Sequence, residues 1–204
     1  MVFDLDGTLL DSERAICDAG AAAFADIQVA VTDLQIADHL GAPLEELYAL
    51  FVGDGDDVKM RHFIARYIER HDEHPDRFPP PLPGVVHGLQ RLRERGLPLA
   101  VGTTKPSARA RSQLEGAGLD GYFGHIQGTD PGMKPKPAPD VVMRACAGLA
   151  IDPRRAVMIG DTPRDVAAGK SAGSASVVVA YGEARLAAAR AMTADRVITS
   201  LLEL

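Results

Sequence analysis

The sequence predicts an α/β fold, a doubly wound Rossmann-like parallel sheet with an inserted helical domain. Short apolar runs such as Leu97–Gly102 and Ala156–Gly160 alternate with segments of helical periodicity. This alternation is typical of a parallel sheet whose two faces are both covered by helices. Between Ser12 and Pro80, by contrast, the periodicity is helical throughout and no run has the character of a strand.

Strand and helix signals alternate through the second part of the chain. The predicted strands are residues 1–5, 97–102, 125–127, 156–160, 175–180 and a short segment around Val197 and Ile198. The predicted helices are residues 85–95, 106–117, 139–149 and 165–172, with one more before the last strand. A predicted helix therefore lies between successive strands of this part of the chain, which is typical of a parallel sheet.

The inserted domain is bounded by the prolines of segment 78–84, which no continuous helix or central strand tolerates. We expect a core domain of residues 1–11 and 82–204 and a helical domain of residues 12–81. In the helical domain, the first predicted helix begins at Glu13, with Ser12 as its N-cap. The following predicted helices are residues 34–40, 44–51 and 58–68. The acidic, glycine-containing segment 54–57 indicates a turn with a helix cap rather than a metal loop.

Composition excludes several classes of protein. With 46% hydrophobic and 25% charged residues among 204, the chain is typical of globular proteins. The net charge of −6 disfavours nucleic-acid binding, and neither a membrane span nor a secretory signal is recognisable. Cys17 and Cys146 match no metal spacing and are expected to be small core residues in a reducing, cytoplasmic setting.

Carboxylates follow the first predicted strand. Asp4 and Asp6 are two residues apart in extended chain, so their side chains point the same way. At about 4 Å and an effective dielectric constant near 20, two such charges repel by roughly 4 kcal/mol. A hard cation with oxygen ligands would relieve this repulsion.

Polar residues also follow two later apolar runs, and a proline-rich segment between these runs contains two lysines. Thr103 and Thr104 come directly after residues 97–102 and could bind an anion at a helix entrance. Asp161 and Asp165 follow residues 156–160, and segment 133–139 contains two lysines, each followed by a proline. A carboxylate nucleophile, a cation site and donors for phosphate oxygens together favour phosphoryl transfer.

Four motifs in order resemble the haloacid dehalogenase superfamily of phosphatases, over nearly the whole chain. Residues 3–9 resemble its first motif, Thr103 its second, a Lys-Pro pair its third and residues 160–165 its fourth. The segments that are most similar to its phosphoglycolate-phosphatase-like branch are residues 82–85, 103–106, 119–123 and 136–139. The resemblance implies that residues 12–81 are a cap inserted after the first motif.

The resemblance also implies a role for each matching residue. Asp4 would be the nucleophile, and Asp6 would protonate the leaving alcohol and then activate water. Thr103 would hydrogen-bond the phosphoryl group, and the motif lysine would offset negative charge. The residues implied around the substrate are Gly7, Thr8, Thr104 and Lys105. The implied Mg²⁺ ligands are Asp4, the Asp6 backbone carbonyl and Asp161, with Asp165 in support.

Several alternatives remain at this point. Lys134 and Lys136 both fit the third motif, but the family spacing to Asp161 favours Lys136, at 161 − 136 = 25 residues. Asp165 could instead be a structural acid in the first turn of a helix. Gly160 stands where related mutases carry a second acid, which favours a phosphatase.

The implied substrate is a small phosphorylated metabolite, with 2-phosphoglycolate as the first candidate. A sugar-phosphate or nucleotide phosphatase, a phosphomutase and a non-catalytic regulatory protein are the alternatives. The expected protein is a monomer or a small homo-oligomer.

Overall fold

Six parallel strands form one sheet, in the order β3-β2-β1-β4-β5-β6. The structure, a computed structural model, describes residues 1–204. The strands are β1 (Val2–Phe3), β2 (Ala100–Gly102), β3 (His125–Gln127), β4 (Val157–Gly160), β5 (Ala175–Val179) and β6 (Arg196–Ile198). Strand order reverses at β1, so the predicted doubly wound α/β fold is confirmed.

The chain divides into two compact units, residues 1–11 with 80–204 and residues 12–79. The helices of the second unit are α1 (Glu13–Asp26), α2 (Asp33–Ala37), α3 (Leu44–Val52) and α4 (Asp57–Glu73). Those of the first unit are α5 (Val85–Glu94), α6 (Ser107–Gly116), α7 (Asp140–Gly148), α8 (Pro163–Ser171) and α9 (Glu183–Ala191). No helix combines the length and the apolar character that crossing a bilayer requires.

Successive residues of β1 bury their side chains on opposite faces of the sheet. Phe3 belongs to an apolar cluster that includes Leu89 of α5 and Leu114 of α6. Val2 belongs to another cluster, with Val141 of α7 and Ala168 of α8. Because both β1 side chains are fully buried, the strand is fixed from both faces despite its two-residue length.

The helical unit has an aromatic core of its own. Phe24 of α1 and Phe63 of α4 are buried with ring centroids 4.3 Å apart, and Tyr48 of α3 lies 5.8 Å from Phe63. At the end of α1, Asp26 accepts hydrogen bonds of 2.8–3.0 Å from Arg66 and Arg70 of α4. These bonds lower the pKa of Asp26 to about 2.

The structure corrects several predicted element boundaries. The apolar run at Leu97 becomes a strand only from Ala100, because Pro98 has no N–H to donate to a ladder. Helix α4 continues to Glu73, five residues beyond the predicted end. The prediction of Ser12 as a side-chain cap is wrong, because its buried hydroxyl makes no hydrogen bond. The predicted cap before α4 is confirmed, since Asp56 accepts from the Lys59 N–H at 2.9 Å.

Candidate functional site

The candidate site lies at the carboxyl ends of β1 and β4, where strand order reverses. Asp4 directly follows β1, and its N–H donates to the Ile159 carbonyl at 2.8 Å, which extends the pairing with β4. Asp161 directly follows β4. In open α/β sheets ligands bind in the crevice at this point, so the positions of Asp4 and Asp161 make them candidate ligand-binding residues.

Three carboxylates converge in this crevice. Oxygens of Asp4, Asp161 and Asp165 all lie within 4.8 Å of one another. Burial, opposed by Lys136, raises the pKa of Asp4 to about 7. Burial also raises the pKa of Asp161, and the nearby charges of Asp165 and Asp4 add to the effect. The environment therefore disfavours negative charge that is not balanced by a cation.

Lys136 is the cation that the chain itself places in this cluster. Its ammonium lies 2.7 Å from Asp4 Oδ1 and 2.6 Å from Asp165 Oδ1, and its side chain is 2% exposed. Burial alone would lower the pKa of Lys136, but Asp165 and Asp4 outweigh it and the pKa is raised. Lys134 is exposed, and its N–H donates to Asp140. Of the two candidate lysines, Lys136 is the one in the site.

Asp165 has a structural role as well as a place in the acidic cluster. At the third position of α8, its Oδ2 accepts from the Thr162 N–H at 3.0 Å and from the Thr162 hydroxyl at 2.7 Å. This arrangement is the reciprocal cap of a helix N-terminus. A Cβ at Gly160 would lie 2.2 Å from the Asp165 carboxyl carbon, so the site leaves no room for a side chain at residue 160.

A tight turn after β1 sets the position of Asp161. Gly7 has a φ of +73°, and a Cβ there would lie 2.3 Å from Asp161 Oδ2. The hydroxyl of Thr8, which is fully buried, donates to Asp161 Oδ1 at 2.8 Å. The Tyr181 hydroxyl in turn donates to the Thr8 carbonyl at 2.9 Å. The structure thus places Thr8 behind Asp161, as a support for that carboxylate.

The segment after β2 brings two threonines and a lysine to the same edge of the sheet. Thr103 is buried, and its hydroxyl accepts from the Lys105 N–H at 3.3 Å. The buried hydroxyl of Thr104 has no hydrogen-bond partner. The Lys105 ammonium donates to Asp6 Oδ1 at 3.0 Å and to Gln113 Oε1 at 2.5 Å. Asp6 is therefore paired with Lys105, whereas Asp4 and Asp165 are both paired with Lys136.

Three residues near the site were not anticipated from the sequence. Tyr181 comes just after β5, so inspection of every strand end could have found it. Gln113 lies inside α6, and Arg185 lies in α9 with its guanidinium 3.7 Å from Asp161 Oδ2. Neither helix position carries a local signal, because its proximity to the site depends on tertiary packing.

The donor set fits a hard divalent cation. When ionised, Asp4, Asp161 and Asp165 carry −3, and the buried Lys136 offsets one of these charges. Arg185, which is 43% exposed, lies 3.7 Å from Asp161, so the cluster keeps a net negative charge that a divalent cation would offset. All three side chains offer carboxylate oxygens, the ligand type that Mg²⁺ prefers.

Comparison with known proteins agrees with this geometry. The sequence pattern of the haloacid dehalogenase-like hydrolase family matches residues 1–179. The chain is 34% identical to the probable phosphatase IndB of Dickeya dadantii (strain 3937), over 89% of this chain and 81% of that protein. It is 32% identical to the phosphoglycolate phosphatase of Chromobacterium violaceum, over 100% and 93%.

A solved structure of a haloacid dehalogenase-like hydrolase from Bacteroides fragilis has the same fold. It superposes with a TM-score of 0.89 at 26% identity, covering 99% of this chain and 97% of the other. The chain thus belongs to the haloacid dehalogenase-like hydrolase family, in the branch that resembles phosphoglycolate phosphatases.

Proposed function

We propose that the protein is a Mg²⁺-dependent phosphatase that hydrolyses a small phosphomonoester through an aspartyl phosphate on Asp4. The observation that carries this proposal is the buried Asp4 carboxylate, held 2.7 Å from the Lys136 ammonium at the strand-order reversal. A carboxylate fixed in this way is a suitable nucleophile. The relatives named as phosphatases support the same reaction.

The proposed reaction has two displacements at phosphorus. In the first, an Asp4 oxygen bonds to phosphorus, the phosphorus–ester oxygen bond breaks, and Asp6 gives its proton to the departing alcohol. In the second, Asp6 takes a proton from water, the water oxygen bonds to phosphorus, and the bond to Asp4 breaks. Phosphate leaves, and Asp4 and Asp6 return to their starting states.

The surrounding residues hold the reacting groups and offset charge. Lys136 contacts Asp4 and would neutralise part of the charge brought in by the phosphoryl group. Thr103 would donate a hydrogen bond to that group, and Thr104 has a buried hydroxyl with no competing partner. Gly7 leaves the approach to Asp161 clear of a side chain.

Mg²⁺ would be held by Asp4, Asp161 and the Asp6 backbone carbonyl, with Asp165 in support. When bound, it would polarise the phosphoryl oxygens and neutralise charge that develops in the transition state. Asp165 would assist indirectly, since it is committed to Lys136 and to the cap of α8.

The substrate proposed first is 2-phosphoglycolate, on the basis of relatives of that name. We assign substrate selection to a cap of residues 12–81, inserted into a core of residues 1–11 and 82–204. A sugar-phosphate or nucleotide phosphatase is the second candidate. Residue 160 argues against a mutase, because it is a glycine where related mutases carry a second acid. A Cβ at this position would overlap the Asp165 carboxyl group.

Phosphate release from a panel of esters tests the proposal. The panel contains 2-phosphoglycolate, a sugar phosphate, a nucleoside monophosphate and an aryl phosphate, each with Mg²⁺ and with EDTA. We expect Mg²⁺-dependent turnover that Asp4→Asn abolishes and that Asp120→Asn, at an exposed aspartate, leaves unchanged. No turnover of any ester by folded wild-type protein, or full activity of Asp4→Asn, would overturn the proposal.

A further inference from the structure

Lys105 is immobilised through both its main chain and its side chain. Its ammonium donates to Asp6 at 3.0 Å and to Gln113 at 2.5 Å, and 11% of its side chain is exposed. Its N–H donates to the Thr103 hydroxyl at 3.3 Å, and its carbonyl accepts from the Thr129 N–H at 3.1 Å. The ammonium is therefore a fixed charge and not a mobile surface group.

The side-chain amide of Gln113, on helix α6, holds the Lys105 ammonium in place. Gln113 is 4% exposed on α6, beside the fully buried Ala110 and Leu114. Burying an amide among apolar side chains is costly unless it is hydrogen-bonded. Lys105 provides that bond to the amide oxygen, so the pair explains why a polar residue is tolerated at this helix position.

We propose that Lys105, anchored by Gln113, is a positioning residue for Asp6 in the proposed phosphatase reaction, on which this inference rests. When the ester bond to phosphorus breaks, the proton of the Asp6 carboxyl group goes to the departing oxygen. Asp6 is left as a carboxylate, and the Lys105 ammonium lies 3.0 Å from its Oδ1. Lys105 thus fixes the orientation of the proton donor and stabilises the charge left behind.

The requirement for proton donation depends on the leaving group, and this provides the test. An aryl oxide leaves without much assistance, whereas an alkoxide must be protonated as it leaves. We would measure kcat/KM, which reports the steps through alcohol release. The three esters are an aryl phosphate, an alkyl phosphate without other charge, and an alkyl phosphate with a carboxylate.

We expect Lys105→Met to lower kcat/KM about 100-fold on both alkyl esters and less than about 10-fold on the aryl ester. Gln113→Leu, which leaves Lys105 and Asp6 in place, should show the same pattern with smaller losses. Lys105→Arg, which keeps the cation, should recover most of the activity on alkyl esters. Arg111→Met, at an exposed cation of the same helix, is the matched control and should match wild type.

Three results would overturn the inference. Equal losses on all three esters would mean that Lys105 only maintains the fold. Losses confined to the carboxylated ester would mean that Lys105 binds the substrate directly. If the wild-type protein turned over none of the esters, the proposed function would fail and this inference with it. Should Lys105→Met not fold, Gln113→Leu and Lys105→Arg carry the same comparison.

Discussion

Replacing Lys136 with methionine tests whether the site depends on one buried cation. Methionine has a similar volume to lysine, so the substitution removes the charge with little change in packing. Each ion pair is worth roughly 6 kcal/mol of attraction at an effective dielectric constant of about 20, given Nζ–oxygen distances of 2.7 Å to Asp4 and 2.6 Å to Asp165. Desolvation offsets much of this attraction, and the net loss expected for removing one buried partner is about 3–5 kcal/mol.

The assay is urea unfolding at neutral pH in EDTA, followed by circular dichroism. Lys134→Met is the matched control, because Lys134 also precedes a proline but is exposed. We expect Lys136→Met to lose about 3–5 kcal/mol in the free energy of unfolding and Lys134→Met to lose less than about 0.5 kcal/mol. The penalty at Lys136 should shrink as pH falls, because protonation neutralises the carboxylates left without a partner.

A double variant separates charge from packing. Lys136→Met with Asp165→Asn removes one of the two carboxylates left without a cation and should recover part of the lost stability.

Phosphate release should fall to background in Lys136→Met and stay near the wild-type level in Lys134→Met. Equal effects of the two lysine substitutions, or wild-type stability and turnover in Lys136→Met, would refute the assignment of Lys136 to the site.

Three further predictions address the acidic cluster and the helical unit. Gly160→Ala should cost about 1–3 kcal/mol of stability, because its Cβ would overlap the Asp165 carboxyl group; an unchanged melting temperature would contradict this. Mg²⁺ at 100 times its Kd should stabilise the wild-type protein by about 2.7 kcal/mol and Asp161→Asn much less, as measured by thermal unfolding; equal shifts would remove Asp161 from the metal site. Because the two arginines of α4 lower the pKa of Asp26 to about 2, the stability from this carboxylate is present above about pH 4 and lost as pH falls through 2. Asp26→Asn should therefore lower the melting temperature at pH 7 and much less at pH 2, and a pH-independent difference would contradict the ion-pair explanation.

Residues at strand ends were predictable because the topology rule needs only the order of elements. Asp4, Thr103 and Asp161 each follow an apolar run, and parallel strands bring their carboxyl ends to one edge of the sheet. The preference for Lys136 over Lys134 came from family spacing, and the structure shows the physical reason in their burial.

Contacts within the site were not predictable, because they depend on side-chain packing between distant segments. The Lys105–Gln113 bond needs a particular face of α6 to turn inward. Ser12 has the residue type of a helix cap, yet its hydroxyl is buried without a partner. The N-cap tendency of serine depends on an extended backbone, and Ser12 instead has an α-region backbone with φ of −101° and ψ of −5°.

The two-residue length of β1 has a consequence for how the protein folds. Val2 pairs with Ala100 and Met158, at sequence separations of 100 − 2 = 98 and 158 − 2 = 156 residues. Contacts of such high order are formed late, because the entropy of closing the intervening loops is lost before the contacts compensate for it. During synthesis, β1 leaves the ribosome long before its partner β4 has been made, while residues 12–79 can already form their local helices. The strand that directly precedes Asp4 can therefore be paired on both sides only after residues 157–160 have been made.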